Sequence, residues 1–122
     1  MSGPFAIEES MEGEISVLSL TGYLDAHTAP EFERAIQHSI EAGRFKIVVE
    51  CRHLTYISSA GLGVFMGFVE DVRENGGDIK ICGLIPKVHQ VFELLGFQEL
   101  FHIVDSRSDA IQKFVDVPVW EG

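Results

Sequence analysis

The chain has 122 residues, of which 46% are hydrophobic and 23% are charged, so it is long enough for one domain with a buried core and too short for two. Nineteen acidic and nine basic side chains give a net charge of −10, which repels nucleic-acid backbones and anionic lipid headgroups. We therefore expect neither nucleic acid nor membranes as partners.

The chain start shows no targeting signal. Residues Met1 to Glu9 lack the basic start and apolar run of a signal peptide. No later stretch approaches about 18 uninterrupted apolar residues, the length that a membrane span needs. We therefore expect a soluble cytoplasmic protein.

The first elements are two short strands and a helix. Phe5–Glu9 and Glu14–Leu20 alternate in hydrophobicity around a turn at residues 11–13, which predicts a strand pair. Thr28-Ala29-Pro30-Glu31 has the form of a capping box and predicts that a helix begins there. The helix should end at Gly43. Its apolar positions recur at three- and four-residue spacing: Phe32, Ala35, Ile36 and Ile40.

The middle of the chain predicts a central strand and a second helix. Phe45–Cys51 is a nearly continuous apolar run, typical of a strand buried on both faces in a parallel sheet. Residues 59–74 then have helical periodicity and end at Asn75-Gly76-Gly77. The inward stripe contains Leu62, Phe65, Met66, Val69 and Val72. Val64 and Phe68 lie off this stripe, so either a second layer of the same chain or a partner covers them.

The last third adds two strands and two helices. Asp78–Cys82 predicts a strand, Pro86–Leu95 a helix that ends at Gly96, and Phe101–Val104 the closing strand. A final helix opens at Ser106 and runs through Val115. The chain should therefore form one α/β domain over residues 5–114, with a mixed, largely parallel sheet, an initial strand pair and about four helices. Residues 115–122, with Trp120, form a C-terminal tail.

The junction between the central strand and the second helix is the strongest candidate for function. Ser58 and Ser59 lie where a helix N-terminus presents unpaired amides and a partial positive charge, so a phosphate attached there would be stabilised. The simpler interpretation is that Ser58 is an N-cap and Ser59 a first-turn residue. Asp25 precedes the first helix and would approach this junction if the two helices are neighbours; otherwise it is a solvated turn residue.

Catalytic interpretations of the same junction fit less well. Residues 57–61 come within one residue of the Gly-x-Ser-x-Gly nucleophile elbow, but the first glycine is missing. The acid and histidine would have to be Asp78 or Glu93 with His102. Gly61, Gly63 and Gly67 lack the spacing and the lysine of a phosphate-binding loop, so we expect them to permit close helix packing instead. We expect no enzyme.

The cysteines and histidines give no sign of a metal site. Cys51 and Cys82 each fall in an apolar strand, where a free thiol behaves as a small hydrophobic side chain. The five histidines show no metal-ligand spacing: His27, His38, His53, His89 and His102. We expect neither a metal nor a cofactor.

Three separated motifs together resemble the STAS domain of bacterial anti-sigma factor antagonists. They are Gly22-x-Leu24-Asp25, Ser58-Ser59-Ala60-Gly61-Leu62-Gly63, and residues 91–97 with the sequence Val-Phe-Glu-Leu-Leu-Gly-Phe. The likeness runs from about Phe5 to Phe114. In that family, an anti-sigma factor that is also a serine kinase of the ATPase type phosphorylates the serine of an Asp-Ser-Ser/Thr-Gly-Leu motif, and a phosphatase reverses the modification.

The resemblance implies a protein-binding switch that regulates transcription indirectly. Anchoring on Gly61-Leu62 assigns phosphorylation to Ser59, with Ser58 as the second choice. The chain departs from the family motif in having Ser58 where the family has aspartate and Ala60 where it has a second hydroxyl residue. The implied partner-binding residues are Asp25, Ser58, Ser59, Gly61, Leu62, Gly63, Val64 and Phe68. The alternatives are a constitutive interaction module and a nucleotide- or lipid-related ligand sensor, both without phosphorylation.

Overall fold

The structure, a computed structural model, describes residues 4–115. The strands are β1 (Ala6–Glu12), β2 (Ile15–Leu24), β3 (Lys46–Ile57), β4 (Asp78–Cys82) and β5 (Ile103–Val104). The helices are α1 (Ala29–Glu41), α2 (Ser59–Glu74), α3 (Pro86–Leu94) and α4 (Arg107–Val115). Val115, where we predicted that the tail begins, is the last residue of α4; the rest of that tail, including Trp120, lies outside the described residues.

The five strands form one mixed sheet in the order β1-β2-β3-β4-β5. β1 is antiparallel to β2, and the remaining strands are parallel to one another. β3 occupies the centre, as its apolar run predicts. The predicted α/β architecture, with its initial strand pair and four helices, is confirmed.

One face of the sheet is covered by α1, α2 and α3 around a cluster of phenylalanine rings. The Phe65 ring contacts the rings of Phe32, Phe92, Phe101 and Phe97 edge to face, with centroid separations of 5.1, 5.7, 6.0 and 6.5 Å. All five side chains are buried. Edge-to-face contacts at these distances contribute beyond the apolar area that they bury. The inward face of α2 is therefore fixed firmly on the sheet.

The opposite face is covered by α4, and a charged contact ties this helix to the sheet. Arg107 of α4 donates a hydrogen bond from its guanidinium to the Glu50 carboxylate of β3 at 2.8 Å. This hydrogen bond holds the pKa of Glu50 below its usual value. Burial raises the pKa of the Cys51 thiol, and that of Cys82 to about 11, so both thiols stay neutral and behave as apolar groups.

β3 is longer than predicted, because it continues past Cys51 to Ile57. Its register against β2 shifts between Ser19 and Thr21 and again between Gly22 and Tyr23, each time with one extra residue in β3. Such bulges break the simple alternation of buried and exposed residues that a sequence pattern detects. The extension brings the carboxyl end of β3 level with the carboxyl end of β2.

The carboxyl end of α2 is held by several polar contacts. Arg73 donates from Nε to Asp78 Oδ1 at 2.8 Å, and Asn75 donates from Nδ2 to the Asp71 carbonyl at 2.9 Å. Gly76 has φ +84°, the left-handed conformation that the sequence predicts for the end of this helix. A Cβ on Gly77 would lie 1.8 Å from the carbonyl oxygen of Phe45.

A buried lysine extends this network below β4. Lys80 Nζ lies 3.0 Å from Asp78 Oδ2 and 2.8 Å from His102 Nδ1, and its residue is only 4% exposed. Burial raises the pKa of Asp78, but hydrogen bonds from Arg73 and Lys80 outweigh burial and leave that pKa below its usual value. Burial and the Lys80 charge lower the pKa of His102, so its neutral ring accepts the lysine hydrogen bond.

Two details of the helices correct the predictions from the sequence. Thr28 is the N-cap residue of α1, but its hydroxyl makes no bond to the helix amides, so the predicted capping box does not form. Met66 is 46% exposed and does not belong to the buried stripe of α2, whereas Val64 is 5% exposed and does. The reason is that α1 packs beside α2, so that the side of α2 that faces α1 is buried as well.

The two edges of the sheet are unlike ordinary pairing surfaces. β1 is the edge strand on one side, and three of its seven residues are glutamates: Glu8, Glu9 and Glu12. β5 is the edge strand on the other side and has only two residues. Charged and very short edges discourage pairing with further strands.

No helix within residues 4–115 combines the length and apolar character that crossing a bilayer requires. In the same part of the chain, no cluster of three or more His, Cys, Asp or Glu side chains is arranged to hold a metal ion.

Candidate functional site

The carboxyl ends of β2 and β3 bring the loop at Asp25 and the two serines together. Leu24 and Ile57 are register partners at the ends of the two strands. The next amide, that of Ser58, donates to the Leu24 carbonyl at 2.9 Å. The approach that the sequence predicts if α1 and α2 are neighbours is therefore present, because the two helices pack side by side.

Asp25 uses its carboxylate to build the loop before α1. Its Oδ1 accepts hydrogen bonds from the backbone amides of His27 at 2.9 Å and Thr28 at 3.2 Å. The Thr28 hydroxyl accepts from the Asp25 amide at 2.9 Å and donates to the Tyr23 carbonyl at 2.8 Å. Asp25 is therefore not a merely solvated turn residue, and the Thr28 hydroxyl serves this loop instead of the helix.

The two serines of the turn have opposite environments. Ser58 is the N-cap residue of α2, with extended backbone angles of φ −104° and ψ 175°. Its hydroxyl makes no cap bond, and among residues 4–115 it is the one buried side-chain polar atom without a hydrogen bond. Ser59 begins the helix and is exposed to solvent. The predicted N-cap position of Ser58 is therefore confirmed for the backbone and wrong for the side chain.

The first turn of α2 leaves backbone donors unpaired. The first hydrogen bond of the helix runs from the Leu62 amide to the Ser58 carbonyl at 3.0 Å. The amides of Ser59, Ala60 and Gly61 therefore precede the regular ladder, as at any helix start. No acidic residue occupies this first turn. A negative group on Ser59 would meet these donors and the positive end of the helix dipole.

Gly61 allows α2 to pack closely against the carboxyl ends of β2 and β3. A Cβ on Gly61 would lie 2.7 Å from Leu24 Cγ and 3.0 Å from Ile57 Cγ1. Gly63 and Gly67 differ, because a Cβ on either would meet no atom within 4 Å. The prediction that these glycines permit close helix packing is thus correct for Gly61 and wrong for the other two.

A groove between α1 and α2 begins directly beside the serine turn. It is open to solvent and has a volume of about 390 Å³. Its lining residues are Ala26, Ala29, Pro30, Glu33, Ala60, Gly63, Val64, Gly67 and Phe68. Apart from Glu33, all of them are apolar or lack a side chain. We call this feature the α1–α2 groove.

The predicted partner-binding residues thus divide into accessible and buried ones. Ser59 and Gly63 are exposed, and Asp25 and Phe68 are partly exposed. Gly61 and Leu62 are buried, which corrects their place in the predicted surface: they hold α2 against the sheet. Val64 is 5% exposed and reaches the surface only within the groove. The sequence left open whether a second layer of the same chain or a partner covers Val64. Because Val64 is already buried in this chain, the first alternative is correct for it.

Six residues of the groove were not among the predicted partner-binding residues. They are Ala26, Ala29, Pro30, Glu33, Ala60 and Gly67. The available signal was the pair Gly63 and Gly67, which lie one helical turn apart on the same side of α2. That these two glycines mark a groove follows only from the structure, in which α1 lies beside α2 and leaves the space above both glycines empty.

The residues of a hydrolytic triad are not assembled. His102 and Asp78 are joined through Lys80, which pairs with Val48 in the sheet. Val48 and Ser58 are ten residues apart in sequence. Two of these ten residues are the extra residues of the bulges, so about eight steps of roughly 3.3 Å place the serines on the order of 25 Å from this histidine.

Comparisons with known proteins agree with this fold. The STAS domain family profile matches residues 7–110. The BtrV protein of Bordetella bronchiseptica is 32% identical over 98 residues, which cover 80% of this chain and 84% of BtrV. The anti-sigma-B factor antagonist of Staphylococcus aureus is 28% identical over 97 residues, covering 80% of this chain and 90% of that protein.

Solved structures show the same architecture. An anti-sigma factor antagonist from Mycobacterium paratuberculosis superposes with a TM-score of 0.86 at 22% identity, covering 95% of this chain and 100% of that one. The phosphorylated form of the Bacillus cell fate determinant SpoIIAA superposes with a TM-score of 0.70 at 23% identity, covering 88% and 98%. At these identities the similarity concerns the fold.

Proposed function

Because the chain belongs to the STAS domain family of anti-sigma factor antagonists, we propose that it binds an anti-sigma factor that is also a serine kinase, and that phosphorylation of Ser59 ends this binding. Release of a sigma factor from the kinase would then regulate transcription indirectly. A phosphatase would restore the binding form. A kinase that uses ATP places this exchange in the cytoplasm.

The single observation that carries the proposal is the contrast between the two serines. The Ser59 side chain is exposed at the start of α2, whereas the Ser58 hydroxyl is buried. A kinase must bring the acceptor oxygen in line with the γ-phosphate of ATP, which requires an accessible hydroxyl. The geometry therefore supports Ser59 as the acceptor over Ser58.

The surroundings of Ser59 support reversible modification. The unpaired amides of the first turn of α2 favour a phosphate there. A phosphoserine adds about 1.5 to 2 negative charges. In a complex that covers Ser59 with apolar surface, desolvation of that charge without new partners costs several kcal/mol. Since about 1.4 kcal/mol already weakens binding tenfold, phosphorylation would be enough to dissociate the complex.

The proposal is tested with the anti-sigma kinase encoded in the same genome. Incubation with this kinase and ATP should add one phosphate, which tandem mass spectrometry should locate on Ser59. Ser59→Ala should remain unmodified and bind the kinase as the wild type does. Ser59→Asp should bind at least about tenfold more weakly, because it places a charge at the contact.

Ser58→Ala is the matched control for these variants. It removes the neighbouring hydroxyl, so it should still be phosphorylated and should still bind. Phosphate on Ser58, or equal binding by Ser59→Ala and Ser59→Asp, would contradict the switch.

A constitutive interaction module is the second candidate. It is favoured by the two departures from the family motif, Ser58 for aspartate and Ala60 for a hydroxyl residue. In that case the kinase, or another partner, should bind wild type, Ser59→Ala and Ser59→Asp with equal affinity, and ATP should change nothing.

A further inference from the structure

The α1–α2 groove has features that specify what could occupy it. It starts at Ala26 and Ala60, next to Ser59, and continues along Gly63 and Gly67. These two glycines are both exposed, and the space above their Cα atoms is empty. At 1.5 Å rise per residue they are about 6 Å apart, the spacing of two side chains one turn apart on a facing helix.

The two helices that form the walls of the groove carry more acidic than basic side chains, and Glu33 is the one charged residue among those that line it. α1 and α2 together carry six carboxylates, at Glu31, Glu33, Glu41, Glu70, Asp71 and Glu74. They carry two arginines, Arg34 and Arg73, and Arg73 is already paired with Asp78. Glu33 lines the groove itself. Glu70 is exposed and lies one turn below Gly67 on the same side of α2.

We infer that the α1–α2 groove receives an amphipathic helix of the anti-sigma factor, with two apolar side chains one turn apart above Gly63 and Gly67 and with lysine or arginine residues beside Glu33 and Glu70. This inference rests on the proposed function for the identity of the partner. Charge complementarity selects the occupant, because a basic helix is attracted by these walls and an acidic one is repelled.

The upper and lower parts of the groove then act differently. The upper part, around Ala26 and Ala60, offers only apolar contact beside Ser59. A phosphate there has no basic residue of the partner opposite it and opposes binding by desolvation. The lower part, with Glu33 and Glu70, attracts the partner through charges that salt screens over about 8 to 10 Å. The effect of phosphate should therefore persist at high salt, whereas the effect of the acidic walls should fade.

Leucine substitutions at the empty positions test the groove. Gly67→Leu and Gly63→Leu fill the space that the partner needs, and leucine favours a helix more than glycine does. We expect the affinity for the kinase to fall at least tenfold, while the melting temperature stays equal or rises. Ser108→Leu is the matched control, because it adds one exposed leucine on α4, which covers the other face of the sheet.

Charge reversal tests the acidic walls. The double variant Glu33→Lys/Glu70→Lys should bind the kinase at least tenfold more weakly at 50 mM salt and nearly as well as the wild type at 500 mM. Gly67→Leu should remain impaired at both concentrations. Binding by Gly67→Leu within twofold of the wild type, at unchanged stability, would overturn the groove while leaving phosphorylation of Ser59 intact.

A synthetic probe separates the groove from the kinase. A 20-residue helical peptide with leucines at i and i+4, flanked by lysines, should bind the wild type and bind Gly67→Leu at least tenfold more weakly. The same peptide with glutamates in place of the lysines should not bind. If the lysine peptide binds neither protein, or both equally, the inference is wrong whether or not the kinase binds. If the kinase does not bind the wild type at all, the proposed function fails and the peptide alone decides the groove.

Discussion

The two ends of α2 are held by different means. At the carboxyl end, Arg73 and Asn75 make side-chain hydrogen bonds, and Gly76 closes the helix. At the amino end, neither serine caps the helix, and packing around Gly61 holds the backbone instead. Side-chain hydrogen bonds thus hold the carboxyl end of α2, whereas no side-chain cap bond forms at its amino end. The amino end therefore keeps the unpaired donors at which we propose modification and binding, whereas the carboxyl end anchors the helix.

The largest expected loss of stability is at the carboxyl end of α2, which anchors the helix. Gly77→Ala would place a Cβ 1.8 Å from the Phe45 carbonyl oxygen, and a backbone atom cannot move away as a side chain can. We expect a loss of at least about 4 kcal/mol in the free energy of unfolding, measured by urea denaturation. Gly63→Ala, near the amino end of α2 and facing empty space, should be neutral or stabilising. Equal effects of the two substitutions would remove the distinction between the ends.

Removal of the central carboxylate of the anchored end should have the next largest effect. Asp78→Ala leaves the buried Lys80 with only His102 as a hydrogen-bonding partner and removes the ion pair of Arg73, which keeps its hydrogen bond to the Leu100 carbonyl. Loss of one partner of a buried ion pair costs about 3 kcal/mol. Denaturation at pH 7 measures this loss. Asp109→Ala is the control for loss of one carboxylate, because Asp109 is an exposed residue of α4.

The pH dependence of this contribution follows from the lowered pKa of Asp78. A carboxyl group whose pKa is lower in the folded state contributes stability above its unfolded pKa of about 3.9, and this contribution disappears as the pH falls through the folded value. The stability difference between wild type and Asp78→Asn should therefore shrink as the pH falls from about 4 to 2. A difference that does not shrink would mean that packing, not charge, holds this end.

A smaller effect is expected at the amino end. Gly61→Ala would bring a Cβ within 2.7 Å of Leu24 Cγ and 3.0 Å of Ile57 Cγ1, but these are side-chain atoms that can shift. Overpacking costs about 1–3 kcal/mol and the better helix propensity of alanine returns up to about 1, so we expect a net loss of about 1 kcal/mol. A loss as large as that of Gly77→Ala would show that both ends are equally rigid.

The smallest expected effect is that of Ser58→Ala, and its sign shows whether the Ser58 hydroxyl caps α2. If the Ser58 hydroxyl capped α2, Ser58→Ala would cost about 1 kcal/mol. Because this hydroxyl is buried without a partner, its removal should instead be neutral or stabilising by up to about 1 kcal/mol. Thermal denaturation of Ser58→Ala beside Asn75→Ala, which breaks a formed bond at the other end, measures both signs in one experiment.

The order and type of the elements could be predicted from the sequence because local signals were strong. The bounds of α2 and β4 agree with the predictions, since the helical periodicity runs without interruption from Ser59 and the glycines after Asn75 end it. The position of β3 in the sheet followed from its apolar run. The extension of β3 past Cys51 could not be predicted, because two bulges disrupt the alternation there.

The directions of the side chains were beyond local pattern. Thr28 fits the capping-box motif, but its hydroxyl has better partners in Tyr23 and Asp25, which only the folded loop brings near. Val64 and Met66 exchange their predicted exposures because α1 packs against one side of α2. For the site, the sequence could identify the turn at Ser58 and Ser59 but not which hydroxyl is accessible, nor the groove that needs both helices.

The acidic edge of β1 and the brevity of β5 bear on how this domain can meet other proteins. Strand addition, by which many small domains recruit extended peptides, would have to pair a new backbone beside Glu8 and Glu12 or along two residues only. Neither edge offers a long uncharged row of donors and acceptors. Contacts with other proteins should therefore use the helices, and copies of this domain should not pair with one another strand to strand.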